Sequence, residues 1–182
     1  MLLAAVTLAG RGFADDQSRR KETKMEKQSN GQETHTGRNA PPPQAAGLTA
    51  LNPDTVPKNP AFSQGVMATG PARTIYVGGQ NAVDASGKVV GKGDLKAQTV
   101  RALDNLEAVL AAGGARLEHV VKMDIHLLAG QSVQKGFEAY QPRAAAFRGR
   151  PPAVTVTFVA GLGRPDWLVE IDAIAVVPAT EN

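Results

Sequence analysis

The segment Leu168-Val169-Glu170-Ile171-Asp172-Ala173-Ile174-Ala175-Val176-Val177 alternates like a half-buried strand, yet it sets two carboxylates, Glu170 and Asp172, on the face shared with Leu168, Ile174 and Val176. Period-two patterning over this length commits the chain to a sheet with one covered face. A carboxylate among apolar neighbours stands either at a rim or at a site, because burying it unpaired is costly. The preceding run, Pro151-Pro152-Ala153-Val154-Thr155-Val156-Thr157-Phe158-Val159, alternates in the same way and supplies a second strand.

Composition narrows the function classes. With 182 residues and 42% hydrophobic side chains the chain can build one real core. It has no cysteine, so a disulfide framework, a thiolate nucleophile and a thiolate metal site are all excluded. The net charge of +3 is concentrated early: residues 1–50 hold 7 Lys/Arg against 5 Asp/Glu, and the remainder holds 13 against 12. A nearly neutral folded part with few aromatics argues against a nucleic-acid face.

Composition changes sharply near residue 50. Residues 15–47 are rich in Gln, Lys, Arg, Thr, Asn and Pro, with the run Pro41-Pro42-Pro43, and cannot bury enough surface to offset their ordering entropy. They read as a disordered tail, residues 1–50, ahead of a domain at 51–182. The apolar run Met1 to Gly10 is too short to span a bilayer. It fits a signal peptide ending near Ala14 but lacks a basic residue in front, and Met25 is an alternative start. The first reading implies export, the second a cytoplasmic protein.

From residue 51 a compact mixed domain is expected. Thr74-Ile75-Tyr76-Val77 reads as a strand that runs into Gly78-Gly79-Gln80, where glycine lets something approach the main chain. Asp84 to Lys88 is a turn, and Lys88-Val89-Val90 begins a return strand. Asp94 caps a helix with apolar positions Leu95, Thr99, Ala102/Leu103, Leu106 and Val109/Leu110, ended by Gly113-Gly114. Val121, Met123, Ile125 and Leu127 alternate with Lys122, Asp124 and His126, a strand with one covered face. A second helix spans Val133 to Phe147, interrupted or kinked at Pro142. The order of two strands, helix, strand, helix, two strands is that of an α+β sandwich with both helices on one face of the sheet. His35 lies in the tail, while His119 and His126 fall on opposite strand faces; the spacing suggests no metal site and predicts solvent-exposed histidines.

Taken in order, Ala61-Phe62-Ser63-Gln64-Gly65, Tyr76-Val77-Gly78-Gly79-Gln80, Thr99 to Leu106, Val120-Val121-Lys122 and Val169 to Val176 resemble the RidA (YjgF) family over residues 52–178. The resemblance implies a chorismate-mutase-like α+β fold with a mixed sheet. It also implies a homotrimer whose inter-subunit clefts, in active members, hydrolyse reactive enamines and imines to ketoacids and ammonia. No cofactor, nucleic acid or membrane partner is implied.

Carried over residue by residue, the resemblance makes Glu170 the catalytic carboxylate that positions water. Phe62, Gly78, Gly79, Val154, Thr155 and Val156 become the substrate-binding set. The family's motif Pro-Ala-Arg-Ser falls on Pro152-Ala153-Val154-Thr155, so Val154 stands where an arginine would grip a substrate carboxylate in a bidentate pair. Losing one partner of such a buried pair costs about 2–5 kcal/mol. The family's tyrosine is Phe62 here, the serine or threonine before Gly-Gln is Gly78, and an asparagine on the second helix is replaced by Phe137 or Tyr140. Arg148, Arg150 and Arg164 flank the last strands as candidate substitutes for the missing arginine.

Three functions follow from this set. One is a trimer binding a small neutral or aromatic metabolite in its clefts, without ordinary 2-imino acid deaminase activity. Another is an imine or enamine hydrolase for a substrate without the usual carboxylate, with Glu170 handling water. The third is a regulatory trimer whose basic tail contacts a partner.

Overall fold

A computed structural model describes residues 46–179. Six strands and two helices follow in the order β1 (Gly47–Leu51), β2 (Gly65–Thr69), β3 (Ala72–Gln80), α1 (Leu95–Ala112), β4 (Val120–Leu128), α2 (Val133–Tyr140), β5 (Ala153–Val159) and β6 (Val169–Pro178). The expected tail and signal segment, residues 1–45, lie outside the described residues. β1 begins at Gly47, ahead of the boundary that composition placed at 50, and pairs antiparallel with β2 as a separate two-stranded sheet. Each strand is only five residues long and mixes Gly, Ala and Thr with a few apolar side chains, too short a run to carry a strong strand signal.

The main sheet has the order β3-β6-β4-β5. β6 runs antiparallel to both β3 and β4, and β4 runs parallel to β5, so the sheet is mixed. β3 and β4 are therefore parallel to each other with β6 inserted between them. The crossovers β3-α1-β4 and β4-α2-β5 advance in the same direction across the sheet, and right-handed connections then place both helices on one face. This is the α+β layering the element order predicts, with α1 packed against β3, β6 and α2.

Strand β6 organises the core. Its odd residues, Val169, Ile171, Ala173, Ala175 and Val177, are buried under α1 and α2, while Glu170, Asp172 and Ile174 are half-buried on the uncovered face. Helix α1 answers with Leu103, Leu106 and Leu110, each fully buried. Asp94 caps it by accepting from Ala97 N at 3.1 Å, and Gly113 ends it, followed by Gly114 at φ 69°. Among the polar positions of α1, Gln98 is completely buried: its Nε2 donates to Gly91 O and Asp166 O, and its Oε1 accepts from Leu168 N. One amide thus ties the entry to the helix to the entry to β6.

Several local expectations are corrected. No return strand forms at Lys88-Val89-Val90; the segment touches only through a Val83–Val89 bridge, because the Asp84 carboxylate accepts from Ser86 N and Lys88 N and folds the chain into a side-chain turn. The second helix stops at Tyr140, and Gln141–Phe147 continue as a 3-10 helix with Pro142 in its first turn, where the missing N–H has no partner to lose. In β4 the extra residue Val121 forms a bulge, so Val120 rather than Val121 is fully buried. His119 belongs to a 3-10 turn (Leu117–His119) and is buried, its Nδ1 accepting from Arg116 N at 2.9 Å, which overturns its assignment as a solvent-exposed strand histidine. Among the described residues no helix is long and apolar enough to cross a membrane.

Because Gln98 serves three part-buried backbone groups, replacing it with Leu leaves Asp166 O and Leu168 N without that partner, while Gly91 O keeps its bond from Asp94 N. We expect Gln98→Leu to lower unfolding stability by about 3 kcal/mol, read as a shift in the urea midpoint at unchanged slope.

Candidate functional site

The singled-out residues divide between the two faces of the sheet. β4 pairs His126 with Glu170 and Asp124 with Asp172, and it pairs Asp124 with Thr155 on the other side. Glu170 and Thr155 therefore share the uncovered face. Met123 pairs with both Ala173 and Val154, which puts Val154 and Val156 on the helix-covered face. Within one chain, Glu170 does not meet Val154.

On the uncovered face, Glu170 is held by groups that sequence reasoning missed. β3 carries one extra residue between Val77 and Gln80 relative to β6, so Gly78-Gly79 form a bulge. A Cβ at Gly79 would lie 2.6 Å from Glu170 Cδ, whereas one at Gly78 would meet nothing; Gly79 is the residue whose missing side chain admits the carboxylate. Asn81, buried just beyond the bulge, donates from Nδ2 to Glu170 Oε2 at 3.0 Å and to Val169 O at 3.3 Å. Asn105 on α1 donates in turn to Asn81 O and Val83 O, both at 2.9 Å. A chain of amides thus runs from α1 to the carboxylate. The only sequence signal for it is an asparagine directly after Gly-Gly-Gln.

The rest of that face is a cross-strand polar ladder. His126 Nδ1 lies 2.8 Å from Thr157 Oγ1 and its Nε2 lies 3.2 Å from Asp172 Oδ2; Lys122 pairs with Asp124 and donates to Thr155 Oγ1 at 2.8 Å. Thr155 is thereby engaged by a lysine on the face away from Val154 and Val156. Among the described residues no group of three or more His, Asp or Glu is arranged to hold a metal ion.

The covered face carries a cavity of about 290 Å³ between β5, the adjoining sheet and α2. Phe62, Val154 and Val156 all line it, with Phe137 and Tyr140 from α2 and Ile125 from β4. Phe62 is brought there because Ser63, buried, donates from N to Pro152 O at 2.9 Å and from Oγ to Pro151 O at 2.6 Å, laying residues 61–63 along the start of β5. Among the described residues, no Asp, Glu, Lys, Arg or His reaches the cavity wall. Its polar groups are Asn59, Gln134, Thr99 and Tyr140. Gln134, a turn ahead of Phe137, is a polar α2 residue the sequence reading overlooked.

Tyr140 is the most constrained of these. Its ring stacks on Phe147 and Phe137, with centroids 5.6 and 6.3 Å away, and its hydroxyl donates to Ala61 O at 3.4 Å. Burial pushes the phenol pKa well up, so the group stays protonated.

The three arginines that flank the last strands make their contacts elsewhere. Arg148 pairs with Glu118, Arg150 donates to Val120 O and Glu118 O, and Arg164 donates to Gly87 O at 2.8 Å while lying over the Trp167 ring. None lines the cavity.

Comparison with known proteins agrees with this architecture. The family model described as Endoribonuclease L-PSP matches residues 52–177. "Protein DfrA" of Myxococcus xanthus is 37% identical over 128 residues, covering 70% of this chain and 94% of its own length. The 2-iminobutanoate/2-iminopropanoate deaminase of Rattus norvegicus is 34% identical over 116 residues, covering 64% and 80%. A crystal structure of a Rid-family protein of unknown function from Yersinia pestis superposes with a TM-score of 0.65 at 32% identity, covering 71% of this chain and 98% of its own.

The close seat of Glu170 on Gly79 is testable by coupling. Gly79→Ala is expected to destabilise the protein by about 1–3 kcal/mol through the clash. In the Glu170→Ala background that penalty should largely vanish, so a double-mutant cycle on unfolding stability should show coupling of about 1 kcal/mol or more.

Proposed function

The chain belongs to the RidA (YjgF, endoribonuclease L-PSP) family, and on that premise we propose that it is a trimeric member that binds a small neutral or aromatic metabolite and lacks ordinary 2-imino acid deaminase activity. The observation that carries this reading is the cavity around Val154. It is walled by Phe62, Val154, Val156, Phe137 and Ile125, and among the described residues no charged side chain lines it. A carboxylate entering it would lose its water without gaining a cation, and such desolvation is strongly unfavourable. An apolar, flat-walled space of this size favours a ligand whose recognition is mostly surface burial.

The trimer enters through the division of the site. Glu170 and Gly79 lie on one face of the sheet, and Phe62, Val154 and Val156 lie on the other. A cleft that uses both sets needs them from different subunits, which supports an assembly in which one subunit's uncovered face meets a neighbour's β5 edge. Exposed Phe158 and Val156 on that edge, and Tyr76 on the uncovered face, are apolar surface suited to such contact.

A second reading is an enamine or imine hydrolase for a substrate without a carboxylate, with Glu170 polarising water. The observation favouring it is the amide chain from Asn105 through Asn81, which holds the Glu170 carboxylate in one orientation.

The main reading is tested with 2-aminoacrylate generated in situ. Wild type is expected to release ammonia no faster than the uncatalysed background, and Val154→Arg to raise the rate by at least about tenfold by restoring a charge-assisted pair. Wild-type activity equal to that of an arginine-bearing relative would overturn the reading, and light scattering that gives a monomer would overturn the shared-cleft assembly.

A further inference from the structure

The cavity contains one polar group that is deeply buried, rigidly placed and poorly used. Tyr140 is 7% exposed, and its ring is fixed between Phe137 and Phe147. Its hydroxyl reaches only Ala61 O, at 3.4 Å, where an O–H···O bond is normally near 2.7–2.8 Å. A buried hydroxyl that makes so long a bond retains most of its donor capacity. The phenol remains protonated because burial disfavours the phenolate.

The surroundings limit what could use that donor. Thr99 Oγ1 is already committed to Leu95 O at 2.8 Å, and Asn59 Oδ1 accepts from Ala61 N at 2.8 Å. Gln134 is exposed at the cavity mouth. Phe62, the other aromatic ring next to Ala61, has no hydroxyl to compete. Asn59 is exposed like Gln134, so among the described residues lining the cavity Tyr140 is the buried side-chain donor that lacks a bond of ordinary length.

We propose that the Tyr140 hydroxyl sets the specificity of this cavity, selecting a neutral aromatic ligand that presents a carbonyl oxygen or imine nitrogen. The aromatic body fills the space against Phe62, Phe137 and Val154, and the ligand's acceptor takes the hydrogen bond that Ala61 O now receives at long range. Discrimination follows from the asymmetry of buried hydrogen bonds: a ligand without an acceptor leaves the hydroxyl with its weak partner, whereas one with an acceptor satisfies it. The proposal rests on the reading of the cavity as a neutral-ligand site, and it adds to that reading the chemical group the ligand must carry.

The test uses the full chain and two probes of matched shape, acetophenone and ethylbenzene, titrated by calorimetry into wild type and Tyr140→Phe. Wild type should bind acetophenone about tenfold more tightly than ethylbenzene, and Tyr140→Phe should abolish that preference while holding ethylbenzene within about twofold of wild type. Retained ethylbenzene binding also reports that the variant is folded. In the infrared, the carbonyl stretch of bound acetophenone should shift to lower frequency in wild type and not in the variant, a change that altered packing would not produce. If wild type binds neither probe, the neutral-ligand reading falls and this inference with it. If wild type binds both and Tyr140→Phe leaves their ratio and the carbonyl frequency unchanged, the inference alone falls.

Discussion

Strand β6 is hydrogen-bonded on both edges, to β3 and to β4, and every odd residue from Val169 to Val177 is buried beneath the helices. Nearly all else in the domain depends on that register. A slip of one residue would drive Glu170 and Asp172 into the core and expose Val169 and Ile171, so the alternation of side chains locks the pairing. Gln98 reinforces the lock where the chain enters the strand, since its side chain serves Leu168 N as well as the loops before α1. The same register places Glu170 against the Gly78-Gly79 bulge and turns it away from β5's covered face.

The two faces then acquire different physics. The uncovered one is a polar ladder across β6, β4 and β5, in which Lys122 pairs with Asp124 and reaches Thr155, and His126 lies between Thr157 and Asp172. The covered one ends, under α2, in a cavity whose walls are aliphatic and aromatic. Val154 packs against the core cluster and makes the wall continuous with it. Apolar burial is non-directional, so such a wall confers affinity for shape but little for orientation. Orientation falls to the few polar groups that remain, of which Tyr140 is the most firmly held.

How much was legible in the sequence varies with the range of the interaction. The cap at Asp94, the apolar face of α1, the Gly113-Gly114 end and the interruption of the second helix next to Pro142 all follow from neighbours within a few residues. The return strand at Lys88 fails because the Asp84 side chain captures the local N–H groups that a strand would have used. The β1–β2 hairpin was overlooked because each strand is only five residues long, too short a run to carry a strong signal. At the site, Phe62, Val154 and Val156 do come together, but Thr155 and Glu170 face the other way; Asn81 is marked only by its place directly after Gly-Gly-Gln, and Asn105 and Gln134 gave no signal of their own.

The sequence by itself determined the periods, the caps, the absence of any thiol, and the presence of an aliphatic valine at position 154. These are properties of residue identity and near-neighbour spacing. Only the tertiary structure decided which face each residue occupies relative to residues far along the chain. That allocation depends on the β3 and β4 bulges, each of which shifts the two-residue phase by one, and on two same-handed crossovers that put both helices on one side. A period of two says that neighbours point apart; it does not say what each will meet. Folding therefore separated the carboxylate from the valine, fixed Glu170 to an amide chain from α1, and placed one phenol beside an apolar cavity.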